Sequence, residues 1–227
     1  MQLTAKNIIK SYTKLQKTTP VLKGVSLEVS GGDFVTIVGP SGAGKSTLLH
    51  ILGSIDTPDS GEVLLNIDGQ SFDYSKMNAG EISKFRNQYL GFIFQFHHLL
   101  PEFSAIENIM LPAMIAGDSY KKAKDKAKSL LKIIDLDIRE SHKPMELSGG
   151  EQQRIAIARA LINEPKIVMA DEPTGNLDRT NSLNVLDIIS NLRKQLGITF
   201  IIATHSDEVA ARSERIIRMR DGLIESI

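Results

Sequence analysis

Gly39-Pro40-Ser41-Gly42-Ala43-Gly44-Lys45-Ser46-Thr47 fits the pattern G-x-x-x-x-G-K-[ST]. The apolar run Phe34-Val35-Thr36-Ile37-Val38 precedes it, and Leu48-Leu49-His50-Ile51-Leu52 follows. Strand, loop, helix is the context in which this pattern cradles phosphate. Gly39, Gly42 and Gly44 let backbone N–H groups turn inward with no Cβ in the way. A helix starting near Lys45 aims the positive end of its dipole at the same point. Lys45 is then placed to reach the β- and γ-phosphates of a nucleotide, and Ser46 to put its hydroxyl on Mg²⁺.

Composition narrows the surroundings of that loop. The chain has 227 residues, 41% hydrophobic and 24% charged, which suits one or two compact units with a sizeable core. Twenty-seven basic residues balance twenty-seven acidic ones, so bulk charge gives no reason to expect a nucleic-acid partner. Without cysteine there is no disulfide and no thiolate metal site, which is compatible with a reducing compartment. Residues 1–6 open no signal peptide, because no apolar stretch follows Lys6. No run of about 18 apolar residues is present to cross a bilayer, so a membrane role is expected to come through a partner.

Residues 3–8 and 25–29 read as strands, the second alternating like a half-buried antiparallel strand. The polar, turn-rich stretch 11–20 between them reads as a loop. Tyr12 within it is either a partly buried anchor or a stacking platform for a flat base. Residues 56–61 form a turn cluster and 62–67 a strand. Residues 70–88 read as irregular, apart from a short helical pattern over 79–86. Residues 90–95 read as a buried strand ending in the amide of Gln95. Ser104 and Glu107 form a capping box that opens a helix. His97 and His98 are neighbours that share no face of a helix or strand and have no further ligand nearby, so they are not read as a metal site. Through the lysine-rich stretch 119–135, Ala123, Ala127, Leu130, Leu131 and Ile134 recur at helical spacing and leave the lysines on a solvated face. Residues 149–163 make a further helix. Residues 167–170 read as a buried strand with Asp171 and Glu172 at its carboxyl end, where open α/β sheets bind ligands. A helix over 181–196, with its apolar stripe at Leu183, Leu186, Ile189, Leu192 and Leu196, is stopped by Gly197. A second buried strand over 198–204 leads to His205, and 215–219 with 223–226 form a hairpin turned by Asp221-Gly222.

A magnesium nucleotide needs a phosphate cradle, metal ligands and a group that orients water. Asp171 stands where a strand-end acid would hold Mg²⁺. Glu172, one residue on in an extended chain, points elsewhere, which suits a general base. His205 is placed to touch both the γ-phosphate and Glu172, and Gln95 to bind Mg²⁺ or the attacking water through its amide oxygen. One stretch is left over: Leu147-Ser148-Gly149-Gly150-Glu151-Gln152-Gln153-Arg154. Ser148 and the N–H groups of Gly149 and Gly150 would face a second phosphate at a helix start. Two such starts in one chain point to a head-to-tail pair of chains, with two nucleotides sandwiched between them.

With these stretches together, the chain resembles, over its whole length, the nucleotide-binding subunit of ATP-binding cassette (ABC) transporters. Residues 147–154 are similar to the family's signature motif. The resemblance implies ATP and Mg²⁺ as cofactors and a homodimer. It implies that Tyr12 stacks on adenine, that residues 39–47 are the Walker A loop and 167–171 Walker B, and that Gln95 links the metal site to a membrane partner. It makes Glu172 the catalytic glutamate, His205 the switch histidine and residues 176–178 a contact to the other subunit. The implied fold is an α/β P-loop NTPase core of the ABC ATPase type, a single domain. Its catalytic core with an antiparallel β-subdomain spans 1–95 and 163–227, and its helical subdomain spans 96–162. Residues 94–103 and 170–178 look, more narrowly, like the branch that powers release of lipoproteins from the bacterial inner membrane. The second string is shared with macrolide-exporter and cell-division ATPases, which are the alternatives. Phe96 to Phe103 follow Gln95, where the family docks its integral membrane permease. They are expected to form that groove at the cytoplasmic face of the membrane, with lipoprotein cargo reached only through the partner. Ser206 replaces the Asp that often follows the histidine in these relatives, and Asp207 is expected to substitute. The coiled-coil insertion of soluble repair ATPases and the tandem cassettes of translation ATPases are not present in the sequence.

Overall fold

A long antiparallel hairpin opens the chain. Its strands, β1 (Gln2–Lys14) and β2 (Lys17–Ser30), pair from Gln2 opposite Ser30 to Lys14 opposite Lys17. Then come β3 (Phe34–Val38), α1 (Lys45–Leu52), β4 (Ser60–Ile67), β5 (Gln70–Asp73), α2 (Ala79–Tyr89), β6 (Leu90–Ile93), α3 (Ala105–Ile115) and α4 (Tyr120–Ile133). The remainder is α5 (Gly149–Leu161), β7 (Ile167–Asp171), α6 (Arg179–Leu196), β8 (Thr199–Thr204), a short α7 (Asp207–Ala210), β9 (Arg215–Arg220) and β10 (Leu223–Ser226). This computed structural model describes residues 1–15 and 17–226. They form two compact units, residues 1–83 with 199–226, and residues 84–198.

In the first unit β2, β1, β4 and β5 form an antiparallel sheet in that order. Leu3, Ala5, Ile8, Leu27, Val29, Val63 and Leu65 are buried, and burying each large side chain contributes about 1.5–3 kcal/mol. β3 is buried from Phe34 to Ile37 and lies between two parallel neighbours, β8 and β9. β10 closes the edge as an antiparallel partner of β9. Asp221 and Gly222 take φ of 49° and 80°, as a tight two-residue hairpin turn requires.

The loop expected over residues 11–20 is instead the outer arm of the hairpin. Tyr12 pairs opposite Thr19 and Thr13 opposite Thr18, and Tyr12 therefore sits on a strand. Both faces of this arm are exposed, so no alternation marks it. The ladder and a 3.0 Å hydrogen bond between the Thr13 and Thr18 hydroxyls hold it. Gln16 lies outside the described residues. The irregular stretch after residue 70 contains β5, an edge strand paired only to β4. Its polar sequence hides it because little of it is buried.

In the second unit β6 and β7 run parallel, and Gly91 lets them sit close beneath α5, where a Cβ would stand 2.5 Å from Ala160 O. β6 ends at Ile93, so Gln95 lies two residues past the strand. Helices α3, α4 and α5 share a core in which Ala105, Ala113, Ala123, Ala127 and Ala158 are fully buried beside Ile109, Leu131 and Ile155. Small side chains at the crossings let the helices approach closely. The expected helical subdomain, 96–162, lies within this unit. Along α6 the buried stripe is Val185, Leu186, Ile189 and Leu192, while Leu196 is 51% exposed. The helix ends at Gly197, φ 63°, and its last turn extends past the apolar layer.

Candidate functional site

In the first unit the site is built on the turn after β3. Gly42 and Gly44 have φ of 81° and 96°, backbone that glycine adopts without strain. A Cβ at Gly44 would stand 2.8 Å from Leu22 Cδ2, and one at Gly39 would run into the Met219 carbonyl. The strands behind the loop therefore demand glycine as much as the loop does. Ala43 N donates to Pro40 O, and Gly222 N to Ala43 O, each at 3.2 Å. α1 starts at Lys45 with no side-chain cap. The N–H groups of its first turn and its dipole together favour an anion at this end. Lys45 is 8% exposed. Its Nζ donates to Gly39 O at 2.8 Å and Pro40 O at 3.2 Å, which holds the ammonium over the loop. Ser46 and Thr47 follow in the first turn of α1.

The Tyr12 hydroxyl donates to Asp56 Oδ2 at 2.6 Å and hydrogen-bonds the Thr47 side chain. Burial of that hydroxyl, and then the Asp56 carboxylate, push the phenol pKa up. Tyr12 as a whole is 44% exposed. His205, exposed just past β8, lines a cleft of about 400 Å³ together with Gly39, Pro40, Arg218 and Glu225. Ser206 caps α7, accepting from Val209 N at 3.5 Å, and Asp207 begins that helix.

In the second unit β7 ends at Asp171, and Glu172 takes φ 46°. The chain is thus not extended at Glu172. A left-handed turn, not strand alternation, sets the directions of the two carboxylates. Gly175 N donates to Glu172 O at 3.0 Å. A Cβ at Gly175 would stand 3.1 Å from Gln95 Nε2 and 3.4 Å from Glu172 Cβ. Gln95 Nε2 donates to Asn176 Oδ1 at 3.3 Å, and Asn176 Nδ2 to Gln95 O at 3.0 Å. This exchange fixes Gln95 beside the Glu172 turn and leaves its Oε1 as the end able to face a cation. Asn176 has this role within its own chain, one that the sequence pattern does not announce.

Ser148 caps α5 in a full capping box. Its hydroxyl and its N–H both donate to the Glu151 carboxylate at 2.8 Å, and Glu151 N donates back to the hydroxyl at 3.3 Å. Arg139 Nε pairs with Glu151 at 3.0 Å. The backbone hydrogen bond from Ser148, its hydroxyl and Arg139 hold the Glu151 carboxyl below its ordinary pKa, against desolvation. The Ser148 proton is thus directed at Glu151, and the outward donors of this helix start are its first-turn N–H groups. Gly150 packs directly on the Asn181 side chain, and Gly149 lies near Leu177.

Past Gln95, Phe96 is 66%, Leu100 42% and Phe103 37% exposed. The backbone beneath them is pinned. Arg159 of α5 donates to the His97 and His98 carbonyls, each at 2.7 Å. Asn108 of α3, fully buried, accepts from Leu100 N at 2.8 Å and donates to the carbonyls of Leu100, Phe103 and Ser104 at 3.0–3.1 Å. Neither residue belongs to a motif, and both partners are backbone, which leaves no trace in residue type. Burial lowers the His97 imidazole pKa. Among the described residues no group of three His, Cys, Asp or Glu side chains could hold a metal by itself, and no helix is long and apolar enough to cross a membrane.

The chain belongs to the ABC transporter family, whose profile matches residues 22–175, and it is an ATPase cassette of that family. Among curated proteins it is similar to the lipoprotein-releasing system ATP-binding protein LolD from several bacteria. It is 52% identical to that of Porphyromonas gingivalis over 226 residues, covering 100% of both chains. It is 49% identical to that of Acinetobacter baylyi over 224 residues, covering 97% of this chain and 96% of the relative. Among solved structures it is similar to the ATP-binding cassette MJ0796 in a dimeric post-hydrolysis state bound to ADP and Pi. There the TM-score is 0.89 at 38% identity, over 99% of this chain and 97% of that one.

Proposed function

We propose that the chain hydrolyses ATP with Mg²⁺ as a homodimer, and that this drives release of lipoproteins from the bacterial inner membrane through integral membrane partners. The observation that carries the reading is similarity to LolD proteins at 49–52% identity across 96–100% of their length. The residues present fit a magnesium nucleotide. An ammonium and a row of backbone N–H groups suit phosphate. The Ser46 hydroxyl, the Asp171 carboxylate and Gln95 Oε1 are the hard oxygen donors that Mg²⁺ prefers.

In this reading residues 39–47 wrap the phosphates, with Lys45 on the β- and γ-phosphates. Ser46, Gln95 and Asp171 hold Mg²⁺, which when bound offsets charge building on the transferred group. Glu172 accepts the proton of the attacking water, and His205 steadies the γ-phosphate. Tyr12 stacks on adenine. Ser148 caps α5 so that the Gly149 and Gly150 N–H groups meet the γ-phosphate held by the second copy. Phe96, Leu100 and Phe103 receive the permease at the cytoplasmic face of the membrane.

A pull-down tests this. The Glu172→Gln variant, solubilised from native membranes in mild detergent with MgATP, should bring down integral membrane proteins together with acylated lipoproteins. An exporter free of lipoproteins, or a division-site protein with cell-wall enzymes, would contradict the assignment to lipoprotein release.

A further inference from the structure

Tyr12 is held by residues that belong to no motif. Lys10 lies two positions before it on β1, hence on the same face of the strand, and is only 9% exposed. Its Nζ donates to Asp56 Oδ1 at 2.8 Å and to Thr57 O at 2.7 Å, and it lies 5.2 Å over the centre of the Tyr12 ring. The other oxygen of Asp56 accepts the Tyr12 hydroxyl at 2.6 Å. The turn carrying Asp56 is itself stitched to β1: Asp59 N donates to Ile9 O at 2.8 Å, and Ser11 N to Asp59 Oδ2 at 2.6 Å. Tyr12 is thus fixed at its hydroxyl by Asp56 and Thr47, and covered on one ring face by an ammonium. The ring of an untethered surface tyrosine turns through a broad range of angles. A ring fixed beforehand costs less ordering when a ligand stacks on it.

We propose that Lys10 and Asp56 are positioning residues for the nucleotide base: they fix the plane of Tyr12 so that the face opposite Lys10 is the one offered to a purine. The proposal rests on the reading of Tyr12 as the adenine platform. Asp56 also links that platform to the far end of α1, the helix that follows the phosphate loop, with Asp56 N donating to His50 O at 3.2 Å.

The test titrates two probes into the full-length protein and its variants: the non-hydrolysable ATP analogue AMP-PNP and inorganic tripolyphosphate, which has no base. Tyr12→Ala should weaken AMP-PNP about tenfold, the scale of one base–aromatic stack. Asp56→Ala and Tyr12→Phe should each weaken it about threefold, and the double variant no further than Tyr12→Phe, because loss of the hydroxyl already removes its bond to Asp56. Tripolyphosphate should bind alike throughout, which a general loss of structure would not allow. If Asp56→Ala and Tyr12→Phe bind AMP-PNP as the unaltered protein does, or weaken both probes equally, the bracket is overturned while the platform stands. If Tyr12→Ala leaves AMP-PNP unaffected, the platform reading falls and the bracket with it.

Discussion

In the proposed mechanism Glu172 and Lys45 carry the chemistry in different ways. Lys45 has three N–H donors, and two go to the Gly39 and Pro40 carbonyls. The loop therefore orients the ammonium instead of leaving it to wander on four flexible bonds. Glu172 stands in left-handed backbone, φ 46°, an arrangement that costs a non-glycine residue about 1–3 kcal/mol and persists where its surroundings hold it. Gly175 and the Gln95–Asn176 pair supply those surroundings. Glu172→Gln keeps the shape of the side chain and loses the proton acceptor. Its turnover should fall about 10²–10⁴-fold, the range for a positioned general base, with ATP affinity retained. Phosphate release and equilibrium nucleotide binding measure the two separately. Undiminished turnover would remove Glu172 from the role.

The backbone of segment 96–103 is held to the elements beneath it by Asn108 and Arg159. Asn108 alone makes three hydrogen bonds to that backbone, and a fourth to the Ser104 carbonyl just beyond it. Asn108→Ala should lower unfolding free energy by about 1–3 kcal/mol, because it takes away the side-chain partner of the Leu100 N–H and of the Phe103 carbonyl; urea denaturation reads this directly, and a change under half that size would contradict it. The capping box of α3 adds a pH signature. Hydrogen bonds from the Ser104 hydroxyl and N–H hold the Glu107 carboxyl below its ordinary pKa. A carboxylate depressed in the folded state stabilises fully above its unfolded pKa, near 4, and the gain is lost as pH falls through the lower folded value. Glu107→Gln should flatten the acid limb of the stability curve in that window. An unchanged slope would show that the box contributes nothing there.

Which of these elements could be read in advance follows from how locally each is encoded. The phosphate loop, the Ser104–Glu107 box and the Asp221-Gly222 turn are written in neighbouring residues, and each appears in the structure where the spacing puts it. The arm carrying Tyr12 and the edge strand β5 are exposed, so they lack the alternation by which strands are recognised. Lys10 and Asp56 are 46 residues apart, and Arg159 reaches a carbonyl 61 residues away. Contacts that distant depend on the finished topology. The Glu172 turn was hidden for another reason: an apolar strand followed by two acids looks the same whether the chain continues straight or turns.

At the scale of the whole molecule, membership of the ABC transporter family settles the class of machine, and the LolD similarity supplies the proposed task. The central claim is that ATP hydrolysis by this chain releases lipoproteins. The most direct measurement takes inner-membrane vesicles carrying the membrane partners and a labelled acylated lipoprotein, adds a soluble lipoprotein acceptor, and follows transfer of label to the soluble fraction. With the unaltered chain and ATP, label should move to the acceptor. With Glu172→Gln it should stay in the membrane although nucleotide is bound. Transfer that proceeds equally with Glu172→Gln, or label that stays in the membrane while the unaltered chain hydrolyses ATP, would contradict the account.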